Sequence, residues 1–81
     1  MRAEFTPQFE RQYAKIPLNI RKAFDQKLPL LVQNLRHPSL RAKKYDEAND
    51  IWQARVTLGY RFYFRIEKDT YKIIAITPHS K

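Results

Sequence analysis

The sequence contains no cysteine and a single glycine among its 81 residues. Without thiols there is no disulfide framework and no thiolate metal site. A secreted, cross-linked mini-protein is therefore excluded, and a reducing cytoplasmic setting is expected. With Gly59 as the sole glycine, glycine-rich loops that cradle phosphates are excluded too. No Walker loop, GxGxxG, HExxH or Gly-x-Ser-x-Gly is present, and Ser39 and Ser80 lack the surroundings of a nucleophile. Long apolar runs are also missing. Leu28–Val32, interrupted by Pro29, and Ile73–Ile76 are the longest, far below the roughly 20 residues that span a bilayer. The opening MRAEFTPQFE has no apolar signal-peptide core. No membrane partner is expected.

What is present is core-forming material and positive charge. At 43% hydrophobic and 14% aromatic, the chain is too rich in apolar side chains to stay disordered. Its length suits one domain, residues 1–81, with a thin core. Sixteen Lys and Arg against eight Asp and Glu leave a net charge of +8, which favours an anionic partner such as nucleic acid. The excess is not a tail. Residues 1–40 hold seven basic and three acidic side chains, and residues 41–81 hold nine and five. Any patch must therefore be made by folding.

Residues 2–5 alternate polar and apolar, as in a short strand. Thr6-Pro7 reads as a helix start, with Thr6 as cap and Pro7 at the first helical position. Phe9, Tyr13 and Ile16 then form one stripe, which Pro17 stops. A second helix begins near Leu18 or Asn19. Ile20, Phe24, Leu28, Leu31 and Leu35 keep helical spacing through Pro29, so one helix kinked at Pro29 is expected, ending at His37-Pro38. Residues 38–50 are polar and irregular, with a possible short strand near Ala42–Tyr45. From Ile51 the period becomes two. Ile51–Thr57 and Tyr60–Glu67 read as strands joined at Leu58-Gly59, where Gly59 is expected to supply a positive φ. Tyr71–Thr77 is the last strand. Either Ile73/Ala75 or Ile74/Ile76 could face the core, depending on the turn length. The fold class is α+β: a short N-terminal strand, two helices, then a three-stranded antiparallel meander with both helices on one face.

If the helices cover Trp52, Ala54, Val56, Phe62, Phe64 and Ile66, the opposite face presents Gln53, Arg55, Arg61, Tyr63 and Arg65. Guanidinium groups bind phosphate through paired, permanently charged donors, and tyrosine stacks on bases. These five residues are the expected RNA contacts, with Lys43, Lys44 and Lys81 adding charge. His37 is expected to act structurally, as a cation near a helix C-terminus. His79, beyond the last strand, is placed to exchange a proton near neutral pH if it is ordered. Asp46, Glu47 and Asp50 lack the further ligands of a divalent site, so no metal and no cofactor are expected.

The stretch Asp50-Ile-Trp-Gln-Ala-Arg-Val-Thr-Leu-Gly-Tyr-Arg-Phe-Tyr-Phe-Arg-Ile-Glu67 resembles the central hairpin of the RelE/ParE toxin superfamily. The Thr-Pro-x-Phe helix start, the Lys-Ile-Pro break and the closing Ile-Thr-Pro-His-Ser-Lys are similar to that family's opening and last strand. The resemblance implies a RelE-like fold and a type II toxin held inactive by a cognate antitoxin. RelE-like members cleave mRNA on the ribosome without a metal, whereas ParE-like members poison DNA gyrase. It further implies Arg61 at the scissile phosphate, Arg55 in the groove, His79 as acid, and Glu47 or Asp50 as base. A RelE-like mRNA endonuclease is the expected function, with a ParE-like gyrase inhibitor or a catalytically inert RNA- or antitoxin-binding homologue as alternatives, and two departures bear on activity. Gln53 stands where ribosome-dependent members often carry a basic residue, and the sequence stops two residues after His79, short of the C-terminal helix or Tyr of several members.

Overall fold

The aromatic–charged alternation from Ile51 to Glu67 folds as an antiparallel pair, β3 (Ile51–Thr57) and β4 (Tyr60–Glu67), in a computed structural model that describes residues 1–79. Trp52 lies opposite Phe64 and Ala54 opposite Phe62 on one face. Gln53 opposite Tyr63, and Arg55 opposite Arg61, occupy the other. Because side chains alternate along a strand, burying the first set exposes the second.

Two helices cover the aromatic face. Thr6 caps α1 (Pro7–Lys15), its hydroxyl accepting from the Phe9 amide at 3.1 Å. Such a cap contributes about 1 kcal/mol. The stripe of α1 meets α2 (Leu18–Gln33) through Phe9 and Phe24, whose ring centres are 5.1 Å apart. Phe24 in turn stands edge-on to Phe62 at 5.2 Å. Each such contact adds about 0.5–1.5 kcal/mol beyond area burial. Ile20, Leu31, Val56, Ile73 and Ile76 complete the core. Between the helices, the Tyr13 hydroxyl donates to both Asp25 oxygens, at 2.8 and 3.1 Å. Burial, followed by this bond, raises the phenol above its ordinary pKa.

The helix pattern runs through Pro29 unbroken, but α2 stops at Gln33 rather than His37. The Asn34 amide still bonds back to Leu30 O, so Leu35 reaches the core from beyond the helix. A 3₁₀ turn, Pro38–Leu40, follows and buries Leu40 completely. His37 caps that turn. Its Nδ1 accepts from the Ser39 amide at 3.2 Å, a different role from a cation at the end of α2.

The sheet is larger than a three-stranded meander. Its order is β1-β5-β4-β3-β2, with β1 (Arg2–Phe5) parallel to β5 (Thr70–Pro78) and β2 (Lys43–Asp46) antiparallel to β3. A bulge in β5 decides which isoleucines face inward. Tyr63 pairs with Ala75 but Phe64 pairs with Ile73, so Ile74 is the extra residue. Ile73 and Ile76 both enter the core, which neither regular register allows. Beyond the reach of β1, side chains from the start of α1 satisfy this irregular edge. The Thr6 hydroxyl donates to Ile74 O at 2.8 Å, and Gln12 Oε1 accepts from the Ile76 amide at 2.9 Å.

Gly59 does not have the positive φ expected of it; Arg41, Asp50 and Lys68 do, at 47°, 56° and 56°. The β3–β4 turn is held instead by the Thr57 hydroxyl, which accepts from the Gly59 amide at 3.2 Å. No atom lies within 4 Å of where a Cβ on Gly59 would stand. Gly59→Ala therefore meets no strain and restricts the unfolded chain, contributing about 0.4–1 kcal/mol. Thermal unfolding is expected to shift upward by a few degrees; a fall would show that the turn needs glycine's freedom.

Candidate nucleic-acid interface

On the open face, a cleft of about 400 Å³ lies beside the β3–β4 turn. Arg55 and Arg61 form its floor from neighbouring strands, with Gln53 next to them. Arg41, Ala42 and Lys43 close one side, and His79 the other. Four permanent cations and an imidazole thus meet, and no carboxylate lines the cleft among the described residues.

The electrostatics are unfavourable without a ligand. Arg55 and Arg61 are directly cross-strand, an arrangement that destabilises a sheet when the charges are alike. The Nε of Arg55 is sealed from solvent and has no hydrogen-bond partner. Burial, followed by the charges of Arg41 and Arg61, pulls this guanidinium below its ordinary pKa. An anion in the cleft would offset the repulsion between these guanidinium groups.

Arg61 is held for a ligand. Its Nη1 donates to Thr57 O at 2.8 Å, Tyr60 O at 3.0 Å and Leu58 O at 3.3 Å. That pins one edge of the guanidinium to the turn, in a residue that lines the cleft. His79 is tied to the same turn, its amide donating to Gly59 O at 2.7 Å. The backbone of His79, whose order the sequence left open, is thereby anchored beside the cleft it lines.

Other expected site residues lie elsewhere. Glu47 and Asp50 belong to the β2–β3 turn, and neither lines the cleft. Asp50 precedes β3 by one residue, five positions from Arg55, or roughly 16 Å along a strand. Both acids are engaged with Lys44, at 2.7 Å for Asp50 and 3.9 Å for Glu47. Lys44 itself is on the wrong face. It pairs with Trp52 in the ladder, and its ammonium sits 5.2 Å from the indole centre. The Asp50 hydrogen bond holds that ammonium above its ordinary pKa. Lys43, one residue earlier, pairs with Gln53 and faces the cleft. Strand parity separates two lysines that charge alone groups together. Arg65 is on the open face but turns away, its Nε donating to Asn49 O at 3.1 Å. It adds to the hydrogen bonds from Asn49 that hold Asp46 below the ordinary carboxylate range. Tyr63 lies outside the cleft, against Tyr45, with ring centres 4.9 Å apart. Lys81 falls outside the described residues.

Arg41 is the residue that sequence reasoning left out of the site. Its only signal was membership of the Arg41-Lys43-Lys44 cluster. The left-handed backbone after the 3₁₀ turn brings it to the cleft.

Replacing Arg55 by methionine tests the electrostatic account. The variant keeps an apolar stem and removes an unpartnered guanidinium. Its melting temperature is expected to equal or exceed the wild type's without anions. The upward shift that inorganic phosphate gives the wild type should be lost. A clear drop in the anion-free melting temperature would show that Arg55 is structural.

Residues 3–81 match the family model described as the ParE toxin of the type II toxin–antitoxin system parDE. No curated protein matches the chain in sequence. Among solved structures, a YoeB/ParE toxin from Agrobacterium tumefaciens is similar with a TM-score of 0.82 at 13% identity, over 99% of this chain and 100% of that one. The YoeB dimer from Staphylococcus aureus gives 0.80 at 15% identity, over 99% and 98%. A chain of the RelB–RelE antitoxin–toxin complex from Methanococcus jannaschii gives 0.75 at 19% identity, over 93% and 88%. At these identities the likeness is one of fold.

Proposed function

The chain belongs to the ParE toxin family of type II toxin–antitoxin systems, within the RelE/ParE superfamily. The family name by itself points to gyrase; from the chemistry of the cleft we propose instead that the chain is a ribosome-dependent mRNA endoribonuclease restrained by a cognate antitoxin. The observation that carries the proposal is the cationic cleft, where Arg41, Lys43, Arg55 and Arg61 meet beside His79 and no carboxylate lines the walls among the described residues. The antitoxin follows from the family and from the similar chain crystallised in a RelB–RelE complex.

RNA carries its own nucleophile. The 2′-OH attacks the adjacent phosphorus, charge builds on the non-bridging oxygens, and the 5′-oxygen leaves with a proton. Arg61, pinned by three carbonyls, and Arg55, short of an acceptor, are preorganised for that charge. Arg41 and Lys43 extend the positive wall along the strand's backbone. Among the described cleft residues His79 is the one whose type exchanges protons near neutral pH, so it protonates the leaving 5′-oxygen, while the 2′-OH proton passes to water. Glu47 and Asp50, committed to Lys44, are not retained as bases.

Primer extension on mRNA from induced cells tests this reading. Stops within codons are expected for the wild type. Arg55→Ala should lose about 10²–10³ in cleavage, the scale of one lost charge-stabilising donor. His79→Ala should lose about 10²–10⁴, the scale of a general acid–base. Intact mRNA with broken DNA in arrested cells would overturn the nuclease in favour of a gyrase poison.

A further inference from the structure

Beside the cationic cleft, the same sheet face carries a second hollow of different chemistry. It measures about 270 Å³ and is lined by Tyr45, Ile51, Tyr63, Ile74, Ala75 and Thr77. The two depressions share a border in the ladder: Gln53 of the cleft pairs with Tyr63 of the hollow, and Arg61 pairs with Thr77. The β5 bulge makes the apolar floor, because Ile74 and its neighbour Ala75 both line the open side. Tyr45 is 61% exposed on edge strand β2, and its ring is inclined 64° to that of Tyr63. Core packing does not account for so exposed an aromatic ring. The pair leaves a corner with two aromatic walls, open to solvent and next to a row of guanidinium groups.

Resting on the nuclease reading above, we propose that Tyr45 and Tyr63 form a stacking platform for one nucleobase of the RNA strand whose phosphate occupies the Arg55–Arg61 cleft. The spacing fits. The Gln53–Tyr63 row is two residues from the Arg55–Arg61 row, about 6.7 Å along the strands. That is the reach between a phosphate and a base of the same or the adjoining nucleotide. The chemistry fits as well, since single-stranded nucleic acid is held by cationic grooves that track the backbone and aromatic rings that take the bases. Gln53, half-buried at the border, offers an amide to the edge of that base and carries no charge to oppose stacking. The hollow is shallow and small beside drug-sized pockets, which suits a single planar ring. Tyr45 is thus a substrate-positioning residue with no part in the chemical step.

The test is an NMR titration of the full chain at low salt with three probes. These are a short single-stranded RNA blocked by 2′-O-methyl groups, an abasic strand of the same length, and inorganic phosphate. The RNA should move the ring protons of Tyr45 and Tyr63 upfield, and the other two probes should not. Tyr45→Ala should weaken RNA binding about tenfold while leaving phosphate binding unchanged, which also reports that the variant is folded. Tyr45→Phe should bind RNA as the wild type does. Arg55→Met should weaken all three. If RNA binding depends on Arg55 but Tyr45→Ala leaves it unaltered, or if the tyrosine rings do not respond, the platform is overturned and the nuclease reading stands. If the wild type binds phosphate but no RNA, both fall, and the hollow is left to a covering protein.

Discussion

Phe62 and Phe64 are the constraint on which the rest depends. Both are completely buried under the helices, the first against Phe24 and the second stacked near Trp52. Once they point inward, the pleat forces Arg61, Tyr63 and Arg65 outward on the same strand. A one-residue slip would bury two guanidinium groups and a phenol and expose two phenylalanines, so the register is heavily biased. The charged face thus follows from the core.

The site also depends on how β5 is anchored. Its bulge is stabilised by α1 through Thr6 and Gln12, and its end is fastened to the β3–β4 turn by the His79 amide. One strand therefore supplies core isoleucines, the floor of the aromatic hollow and the imidazole of the cleft. The Arg61 side chain ties the same turn from within. A small core can support a defined cleft because these polar bonds sit where the regular ladder is interrupted.

Charge is sorted by face and by end of the sheet. At the β2–β3 end the acids meet Lys44 and Arg65 lies beside Asp46, so that end is nearly neutralised. At the β3–β4 end the cations face one another with no carboxylate lining the cleft among the described residues. Like charges directly opposite in a ladder oppose folding, which makes their retention more readily explained by an anionic ligand than by stability. The thin core and this repulsion both favour a protein stabilised when its partner is bound.

Periodicity placed both helices, the three long strands and the core residues of the helices and central hairpin, because burial of apolar stripes acts over a few neighbouring residues; it did not identify Leu40 or Tyr71, nor the inward pair Ile73 and Ile76. It also placed Arg55 and Arg61 on one face. Contacts between residues far apart in sequence decided the remainder. The β5 bulge depends on Gln12, 64 residues from its partner, so no local pattern announces it. Ladder parity in β2 sent Lys43 to the cleft and Lys44 to the indole, and a left-handed turn delivered Arg41. The carboxylates expected as bases lie in the β2–β3 turn near Lys44 and do not line the cleft. Sequence fixes which side chains are charged, whereas only the tertiary structure decides which charges meet without a counter-ion, and that meeting makes the site.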